Sequence, residues 1–427
     1  MTPEVRDRID QIRQGIVPEG YKKTKSGILP ESWSVRTIAE CLERVEHPVE
    51  VQANEMYTQI GIRSHGKGLF YKEPVTGDSL GNKSVFWIEP DCFILNIVFA
   101  WEQAIGKTTQ AEAGMIGSHR FPMYRPINGS IDIDYLISYL LTKRGTDILE
   151  AASPGGAGRN RTLGQDRFMK SRIVLPPLDE QKKIAEILST QDKAIELQGR
   201  KIEELKRFKK GCLEKMFPRK GQKVPEKRFP GFTDDWEQRK LTEFVEFFSG
   251  LTYTPNDVQE NGTLVLRSSN VSNGEVVDAD NVYVNPQVVN SENVKVGDIV
   301  VVVRNGSRSL IGKHAQIKAF MPNTVIGAFM TGIRSECPKF TNALLNTSKF
   351  EEEIAMNMGA TINQITGYMF SKMEFKVPCL DEQKEIGEYF ENLDHLITLH
   401  QRKLEEMKKQ KKALMQLLLT GIVRVKA

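Results

Sequence analysis

Cysteine is scarce in this chain, and the few cysteines follow no pattern. Only 5 of the 427 residues are cysteines, and no two have the CxxC spacing of zinc or redox sites. The 6 histidines are equally scattered, and His395 and His400 are spaced off the i,i+4 face that two metal ligands on a helix need. The composition therefore predicts neither a disulfide framework nor a bound metal.

Long apolar runs are missing as well. No stretch approaches the roughly 18 apolar residues of a membrane-spanning helix. The longest, Cys92–Trp101, is short and contains Asn96, which favours a buried strand. The first residues have no apolar signal-peptide core. With 40% hydrophobic and 27% charged residues, we expect a globular, cytoplasmic protein that contacts no membrane.

The sequence signatures of two common enzyme classes are absent too. An adenine methyltransferase needs an (Asn/Asp)-Pro-Pro-(Tyr/Phe) turn, and the nearest string, 284–287, lacks the second proline and the aromatic residue. A phosphate-binding loop needs a glycine five positions before Gly106-Lys107-Thr108, where Trp101 stands. The glycines at 153–158 lead into Arg159 rather than a Lys-Ser/Thr pair. We therefore expect no catalytic residues and no cofactor bound by this chain.

Positive charge is concentrated in one segment. The net charge is only +4, but residues 199–228 hold twelve Lys/Arg and four Asp/Glu, so the remainder of the chain nets −4. Such a segment favours a polyanion or an acidic partner, although a solvated helix face explains many similar runs.

Internal repetition is the most informative feature. Residues 176–217 and 378–419, displaced by 202 positions, share 18 identities in 42 positions. Both copies open with Leu-Asp-Glu-Gln-Lys after proline, a typical helix start with acids in the first turn. Trp33 and Trp236 mark a second, weaker repeat, whereas roughly 40–170 and 245–370 diverge almost completely. We expect Trp33 and Trp236, together with Trp87 and Trp101, to be core anchors.

The repeated segments follow a heptad pattern. Mostly apolar seven-residue spacing over about four heptads predicts a coiled-coil seam. The simplest arrangement pairs the two helices antiparallel within the chain, and the alternative is that each helix packs on its own domain. The proposed seam residues are Leu188, Ile195, Ile202, Leu205, Phe390, Leu393, Ile397, Leu404 and Met407.

These segments resemble the frame regions of Type I restriction-modification specificity subunits. The twice-used Pro-x-Leu-Asp-Glu-Gln-Lys entry carries the resemblance, with the lead-ins 20–33 and 228–237 and the ending 418–421. The resemblance implies an α+β chain in which two α/β target recognition domains are joined and separated by two long antiparallel helices, with a pseudo-twofold repeat. We divide the chain into an N-terminal helix (1–20), recognition domain 1 (21–178), spacer helix 1 (179–218), recognition domain 2 with its basic lead-in (219–378), and spacer helix 2 with the tail (379–427).

The resemblance also implies a function without catalysis. Each recognition domain would read one half of a bipartite, asymmetric site in double-stranded DNA. The helices would set the gap and dock two methyltransferase subunits, which use S-adenosylmethionine, while motor-nuclease subunits use ATP and Mg²⁺. The alternative is a stand-alone tandem DNA-binding regulator, which needs no pair of repeated docking helices.

Candidate DNA contacts lie in polar loops of both divergent interiors. Base reading favours Arg, Lys, Asn and Gln on exposed loops, and for any one residue an ordinary turn or cap is the alternative. The 159–161 and 361–364 segments occupy corresponding places, which favours a shared role. The candidates are Arg63, His65, Lys67, Lys107, His119, Arg120, Arg159, Asn160 and Arg161 in the first half, and Arg267, Asn270, Arg304, Asn305, Ser307, Arg308, Lys313 and Asn363 in the second.

Overall fold

The computed structural model describes residues 2–81, 83–155, 161–358 and 363–425. The chain divides into two units. Unit 1 comprises Met1–Leu197 with Leu404–Ala427, and unit 2 comprises Gln198–Lys403. Both boundaries fall inside long helices, so each of these helices contributes one end to each unit.

Unit 1 combines short strands with helices. Its helices are α1 (Pro3–Arg13), α2 (Gly77–Leu80), α3 (Ile133–Leu140), α4 (Lys143–Ala152), α5 (Gln165–Lys170) and the first half of α6 (Leu178–Met216). Its strands are β1 (Tyr21–Thr24), β2 (Gly27–Pro30), β3 (Ser34–Thr37), β4 (Leu42–Val45), β5 (Met56–Tyr57), β6 (Ile60–Ile62), β7 (Leu69–Tyr71), β8 (Val75–Thr76), β9 (Val85–Trp87), β10 (Phe93–Leu95), β11 (Ile105–Lys107), β12 (Ile116–Ser118), β13 (Met123–Pro126) and β14 (Arg172–Leu175).

The core of unit 1 is built on an antiparallel sheet in the order β11-β10-β13-β4. Strand β10 is buried at every position, as the apolar run predicted. Phe93 of β10 packs on Tyr124 and Phe168, with ring centroids 6.4 and 6.1 Å away. Strands β3 and β14 pair separately, beside the start of α6.

Unit 2 has a similar set of elements. Its strands are β15 (Glu237–Lys240), β16 (Val245–Ser249), β17 (Val258–Gln259), β18 (Thr263–Leu266), β19 (Val271–Ser272), β20 (Glu275–Val276), β21 (Val282–Val284), β22 (Ile299–Val302), β23 (His314–Gln316), β24 (Thr324–Ile326), β25 (Met330–Ser335) and β26 (Glu374–Val377). Its helices are the second half of α6, α7 (Pro338–Leu345), α8 (Ser348–Asn357), α9 (Gly367–Phe370) and most of α10 (Leu380–Leu419).

The main sheet of unit 2 repeats that of unit 1. Its order is β23-β22-β25-β16, again antiparallel throughout, so β22 takes the place of β10 and β25 that of β13. All of β22 is buried, because the sheet is covered on both faces. A second sheet, β17-β21-β18-β24, contains one parallel pair, β18 with β24. The repeat seen in the helical segments therefore extends through interiors whose sequences have diverged.

The long helices pair antiparallel within each unit, as the heptads predicted. In unit 2 the side chain of Gln198 on α6 donates to the carbonyl of His400 on α10 (2.9 Å), while Lys209 contacts Asp394, earlier in α10 (2.6 Å). In unit 1 Lys411 contacts Asp192. All nine proposed seam residues are buried or half-buried. The helix ends also enter the unit cores, so pairing and packing on a domain occur together.

The repeated Glu-Gln at the helix starts has a direct structural role. Gln181 and Gln383 each donate a side-chain hydrogen bond to the carbonyl of the proline five positions earlier, at 2.9 Å in both cases. Glu180 and Glu382 are buried, with side chains 3% and 0% exposed, and each accepts two hydrogen bonds from an arginine. The motif therefore fixes where each helix begins.

The arginine on Glu180 comes from the C-terminal tail. Arg424 donates to Glu180 at 2.7 and 2.9 Å, and Trp33 donates a further hydrogen bond at 3.0 Å. Tyr21 donates to the carbonyl of Gly421 (2.7 Å), and Arg8 of α1 donates to that of Ile422 (2.8 Å). The tail and α1 are thus integral parts of unit 1.

Two absences concern the residues that the structure describes. None of their helices is both long and apolar enough to cross a membrane. Among the same residues, no group of three or more His, Cys, Asp or Glu side chains could hold a metal ion.

Candidate nucleic-acid interface

Three loop segments of unit 2 meet at the place where strand β22 ends and strand β25 begins. They are 303–308 after β22, 327–329 before β25 and 363–365 before α9, and we call them the second loop hub. The amide of Val303 donates to the carbonyl of Phe329 (3.0 Å), and the amide of Ile365 donates to the carbonyl of Val303 (2.8 Å). The amide of Arg304 also donates to Phe329 (3.2 Å). Peptide groups therefore hold the hub together.

Unit 1 contains the same arrangement. Its segments are 97–103 after β10, 118–120 before β13 and 161–163 before α5, the first loop hub. The amide of Ile97 donates to the carbonyl of Arg120 (3.0 Å), and the amide of Leu163 donates to the carbonyl of Ile97 (2.8 Å). Leu163 and Ile365 are 202 positions apart, the offset of the helical repeat. Segments 159–161 and 361–364 were expected to occupy corresponding places. The described residues just after them, Leu163 and Ile365, do occupy corresponding places.

The second loop hub gathers several of the candidate DNA contacts. Asn305 donates from its side chain to the hydroxyl of Ser268 (3.1 Å), and Asn363 donates to the carbonyl of Gly306 (3.1 Å). Arg304 and Arg308 are exposed. The hub also contains Ser307, whose amide donates to Asn305 (2.9 Å). It therefore presents guanidinium, amide and hydroxyl groups on one backbone framework, the chemistry that base edges and phosphates require.

Ion pairing separates the basic candidates into two groups. Arg267 is bound to Asp280 and Lys107 to Asp134, at 2.6 and 2.7 Å. Burial lowers the pKa of Lys107, but the hydrogen bond and charge of Asp134 outweigh it and raise this pKa. Within the described ranges, Arg304 and Arg308 have no such carboxylate partner. Their charges are therefore available to an incoming polyanion.

The first loop hub gathers candidates from further segments. Loop 63–68 joins it through the amide of His65, which donates to the carbonyl of Glu102 (2.8 Å), and through Ser64, which donates to the Glu102 carboxylate (3.0 Å). The side chains of Arg63, His65 and Lys67 in this loop are exposed, as are His119 and Arg120 in the segment before β13.

Some candidates are placed elsewhere. Asn270 is fully buried, and its side chain donates to the carbonyl of Ala279 (2.7 Å) and to Asn281 (2.8 Å). It holds its own loop instead of presenting a surface contact, because a short amide can satisfy several backbone groups in a tight turn. Lys313 is half-buried beside β23. Arg159 and Asn160 lie outside the described residues.

Aromatic residues at the hubs are the main feature that sequence reasoning missed. Phe329 is 56% exposed, and the guanidinium of Arg304 lies over its ring, 5.1 Å from the centroid. Trp101 was expected in the core, but it is half-buried in the first loop hub, with Arg161 5.3 Å from its ring centroid. Trp87 is also 36% exposed, whereas Trp33 and Trp236 are core residues. The sequence signal for Phe329 was its place directly after Gly327-Ala328 and before strand β25.

Two units whose main sheets have the same strand order, each with a loop hub that carries basic side chains, define a protein of two related modules. The model of the Type I restriction modification DNA specificity domain matches residues 84–207 and 233–409, once in each half. The chain therefore belongs to the family of Type I restriction-modification specificity subunits, and its role is DNA recognition.

Individual relatives agree along the whole chain. The chain is 26% identical to the Type I restriction enzyme MjaVIII specificity subunit of Methanocaldococcus jannaschii, over 97% of this chain and 98% of the relative. The putative MjaX specificity subunit of the same organism is also 26% identical, over 96% and 97%.

Solved structures show the same fold. A chain from work on complex assembly and conformational transition of the type I R-M system superposes with a TM-score of 0.58 at 16% identity, covering 92% of this chain and 99% of that one. The Type-I restriction-modification system S subunit from M. genitalium gives a TM-score of 0.56 at 14% identity, covering 90% and 96%.

Proposed function

We propose that each unit reads one half of a bipartite, asymmetric DNA site through its loop hub. The observation that carries this proposal is that both hubs have the same backbone hydrogen bonds but different side chains: Arg304, Asn305 and Asn363 in one, and Arg120, Arg161 and Trp101 in the other. One framework with two sets of readers suits a target whose halves differ in sequence.

We assign the long helices to spacing and docking. They contain 39 and 40 residues, and at about 1.5 Å per residue each is long compared with the roughly 34 Å of one B-DNA turn. Helix α6 exposes Leu197 (63%) and Phe208 (55%), and α10 exposes Leu399 (46%). Exposed apolar side chains on otherwise charged helices support docking of partner chains, which we propose are two methyltransferase subunits.

The chemistry belongs to those partners in this proposal. The methyltransferase subunits bring S-adenosylmethionine and flip the target adenine for N6 methylation, and motor-nuclease subunits bring ATP and Mg²⁺. This chain selects the DNA sequence that is modified and binds no cofactor itself.

Genome-wide mapping of methylated adenines tests the proposal. The chain is co-expressed with its cognate methyltransferase subunit in a host that lacks other adenine methylation. We expect one bipartite motif with a gap of about 5–8 base pairs, which places the half-site centres near one helical turn apart. A continuous motif would contradict the reading of two half-sites. Strong sequence-specific DNA binding by the purified chain alone would instead favour a stand-alone regulator.

A further inference from the structure

One arginine and one aromatic ring form a cation–π pair in each loop hub. In the second hub the pair is Arg304 over Phe329. The amides of Val303 and Arg304 both donate to the carbonyl of Phe329, at 3.0 and 3.2 Å, so the backbone of the arginine is fixed relative to the ring. A guanidinium carries its N–H groups along the edge of one plane, and a ring beneath it limits the orientations that this edge can take. The pair is therefore a preorganised hydrogen-bond donor at the surface.

Other arginine–phenylalanine pairs in unit 2 lack this free edge. Arg334 lies 4.9 Å from the Phe248 ring centroid, but it also donates to Asp298 (2.9 Å) and Glu292 (3.0 Å). Its donors are consumed inside the protein, which raises the pKa of Arg334 above its usual value. Arg304 has no carboxylate partner among the described residues. Its donors remain available for an external acceptor.

The first hub contains a pair of the same type, assembled differently. There the arginine, Arg161, comes from the segment before α5, and the ring, Trp101, comes from the loop after β10. The indole N–H donates to the carbonyl of Val98 (3.1 Å), which fixes the ring in the loop. In the second hub the arginine comes from the loop after β22, and the ring from the segment before β25. The same element is thus presented from different positions.

We propose that these two pairs are specificity-determining elements: Arg304 on Phe329 reads a guanine in one half-site, and Arg161 on Trp101 reads a guanine in the other. The proposal rests on the proposed function and adds the residues that discriminate. Guanine presents two acceptors, O6 and N7, side by side in the major groove, and a planar guanidinium edge matches both. Exposed Phe329 adds an apolar surface for the neighbouring base or sugar.

Substitutions that keep charge but lose planarity test the proposal. Arg304→Lys and Phe329→Leu are made in the chain co-expressed with its methyltransferase subunit, and methylated adenines are mapped genome-wide. We expect discrimination at one guanine position of one half-site to fall about tenfold or more, with the other half-site unchanged. Arg161→Lys relaxes one position in the opposite half-site. Arg239→Lys is the matched control, because Arg239 lies over Phe244 (6.0 Å) outside the hub and is paired with Glu243.

The possible outcomes distinguish a failure of this inference from a failure of the proposed function. A wild-type bipartite motif with both half-sites unchanged in Arg304→Lys and Arg161→Lys overturns the inference alone. A uniform loss of methylation at all sites overturns it too, because that result indicates phosphate anchoring. A wild-type complex without a bipartite motif overturns the proposed function and the inference together. Thermal unfolding of each purified complex shows that a changed motif does not reflect misfolding.

Discussion

Lys209 on α6 and Asp394 on α10 form an ion pair with Nζ and Oδ1 2.6 Å apart, and the sequence repeat duplicates it. The counterparts displaced by 202 positions, Lys411 and Asp192, form the equivalent pair in unit 1. The lysines occupy an otherwise apolar heptad position. A charged residue in a seam specifies register at some cost in stability, so these pairs favour one alignment of the two helices.

Removing the lysine of this pair should destabilise unit 2. The side chains of Lys209 and Asp394 are 14% and 27% exposed, so Lys209→Ala leaves a poorly solvated carboxylate. We expect a loss of about 1–2 kcal/mol in the free energy of unfolding, measured in urea. The control is Lys206→Ala on the same helix, whose exposed pair with Glu203 should contribute less than about 0.5 kcal/mol. Equal losses in the two variants contradict the prediction.

The buried glutamate at the start of α10 should depend strongly on its arginine. Arg228 donates to both oxygens of the fully buried Glu382, at 2.7 and 2.8 Å, and this hydrogen bonding raises the pKa of Arg228. Arg228→Ala should cost about 3 kcal/mol of unfolding free energy, because it leaves a buried charge unpaired. Lys223→Ala, which breaks an exposed pair with Asp235, serves as the comparison. A cost below about 1 kcal/mol for Arg228→Ala is incompatible with this assignment.

His314 should make the stability of unit 2 sensitive to mild acid. Its Nδ1 donates to the carbonyl of Gly312 (3.0 Å), its Nε2 is buried without a partner in the described region, and its ring packs on Phe350. Burial lowers the pKa of His314; Lys209 lowers it further and Asp394 opposes the shift. The unfolded chain therefore binds a proton near pH 6.5 that the folded chain does not.

The sign follows from this difference in proton uptake. The contribution of His314 is fully present above pH 6.5 and is lost as the pH falls below that value. Urea unfolding between pH 7 and about 5, above the range in which ordinary carboxylates titrate, should show the decline. His314→Gln should flatten it, whereas substitution of the exposed His65 should not. An unchanged slope in His314→Gln removes this histidine as the cause.

Arg308 should act as a sequence-independent phosphate contact. It is exposed in the second loop hub and has no carboxylate partner in the described part of the chain. In the complex with the methyltransferase subunit, Arg308→Ala should weaken binding to specific and non-specific DNA alike. The slope of log K against log salt concentration should decrease in magnitude by about 1. A loss confined to one DNA sequence would instead assign Arg308 to base reading.

Arg304→Ala should weaken DNA binding by about 1–3 kcal/mol, since it removes the guanidinium that lies over Phe329 and has no carboxylate partner among the described residues. We make the same prediction for Arg159→Ala on the sequence pattern alone. Filter or fluorescence binding at fixed salt measures both. Unchanged affinity and target preference in both variants contradict the assignment of these loops.

The frame was predictable because its signals are local or periodic. Glu180 and Glu382 lie just after a proline, where acidic residues are typical of the first turn of a helix. The heptad positions of Leu188 and Phe390 predict the packed side of each helix. The 202-residue offset identified the two long helices as copies of one another. Antiparallel pairing within the chain was the simplest arrangement of two such helices. These inferences required no knowledge of how distant loops fold.

The structure of the two divergent interiors was harder to predict, because it depends on burial and on the pairing of strands that are distant in sequence. Strands β10 and β22 have equivalent places in their sheets, yet the surrounding sequences share no motif that shows it. Asn270, a candidate DNA contact, is buried, and Phe329, for which no prediction was drawn from the sequence, is exposed. Residue type predicts the usual environment, but the contacts of each loop with segments tens of residues away determine the actual one.

The hydrogen bonds from Leu163 to Ile97 and from Ile365 to Val303 join peptide groups only. Hydrogen bonds between peptide groups do not depend on the side chains of the residues that form them, provided that the donor is not proline and the strands beneath stay buried. A loop hub can therefore exchange its surface residues without rebuilding its backbone. Substitutions on the surface of one hub can therefore change what that hub contacts without changing the stability of the unit or the surface of the other hub.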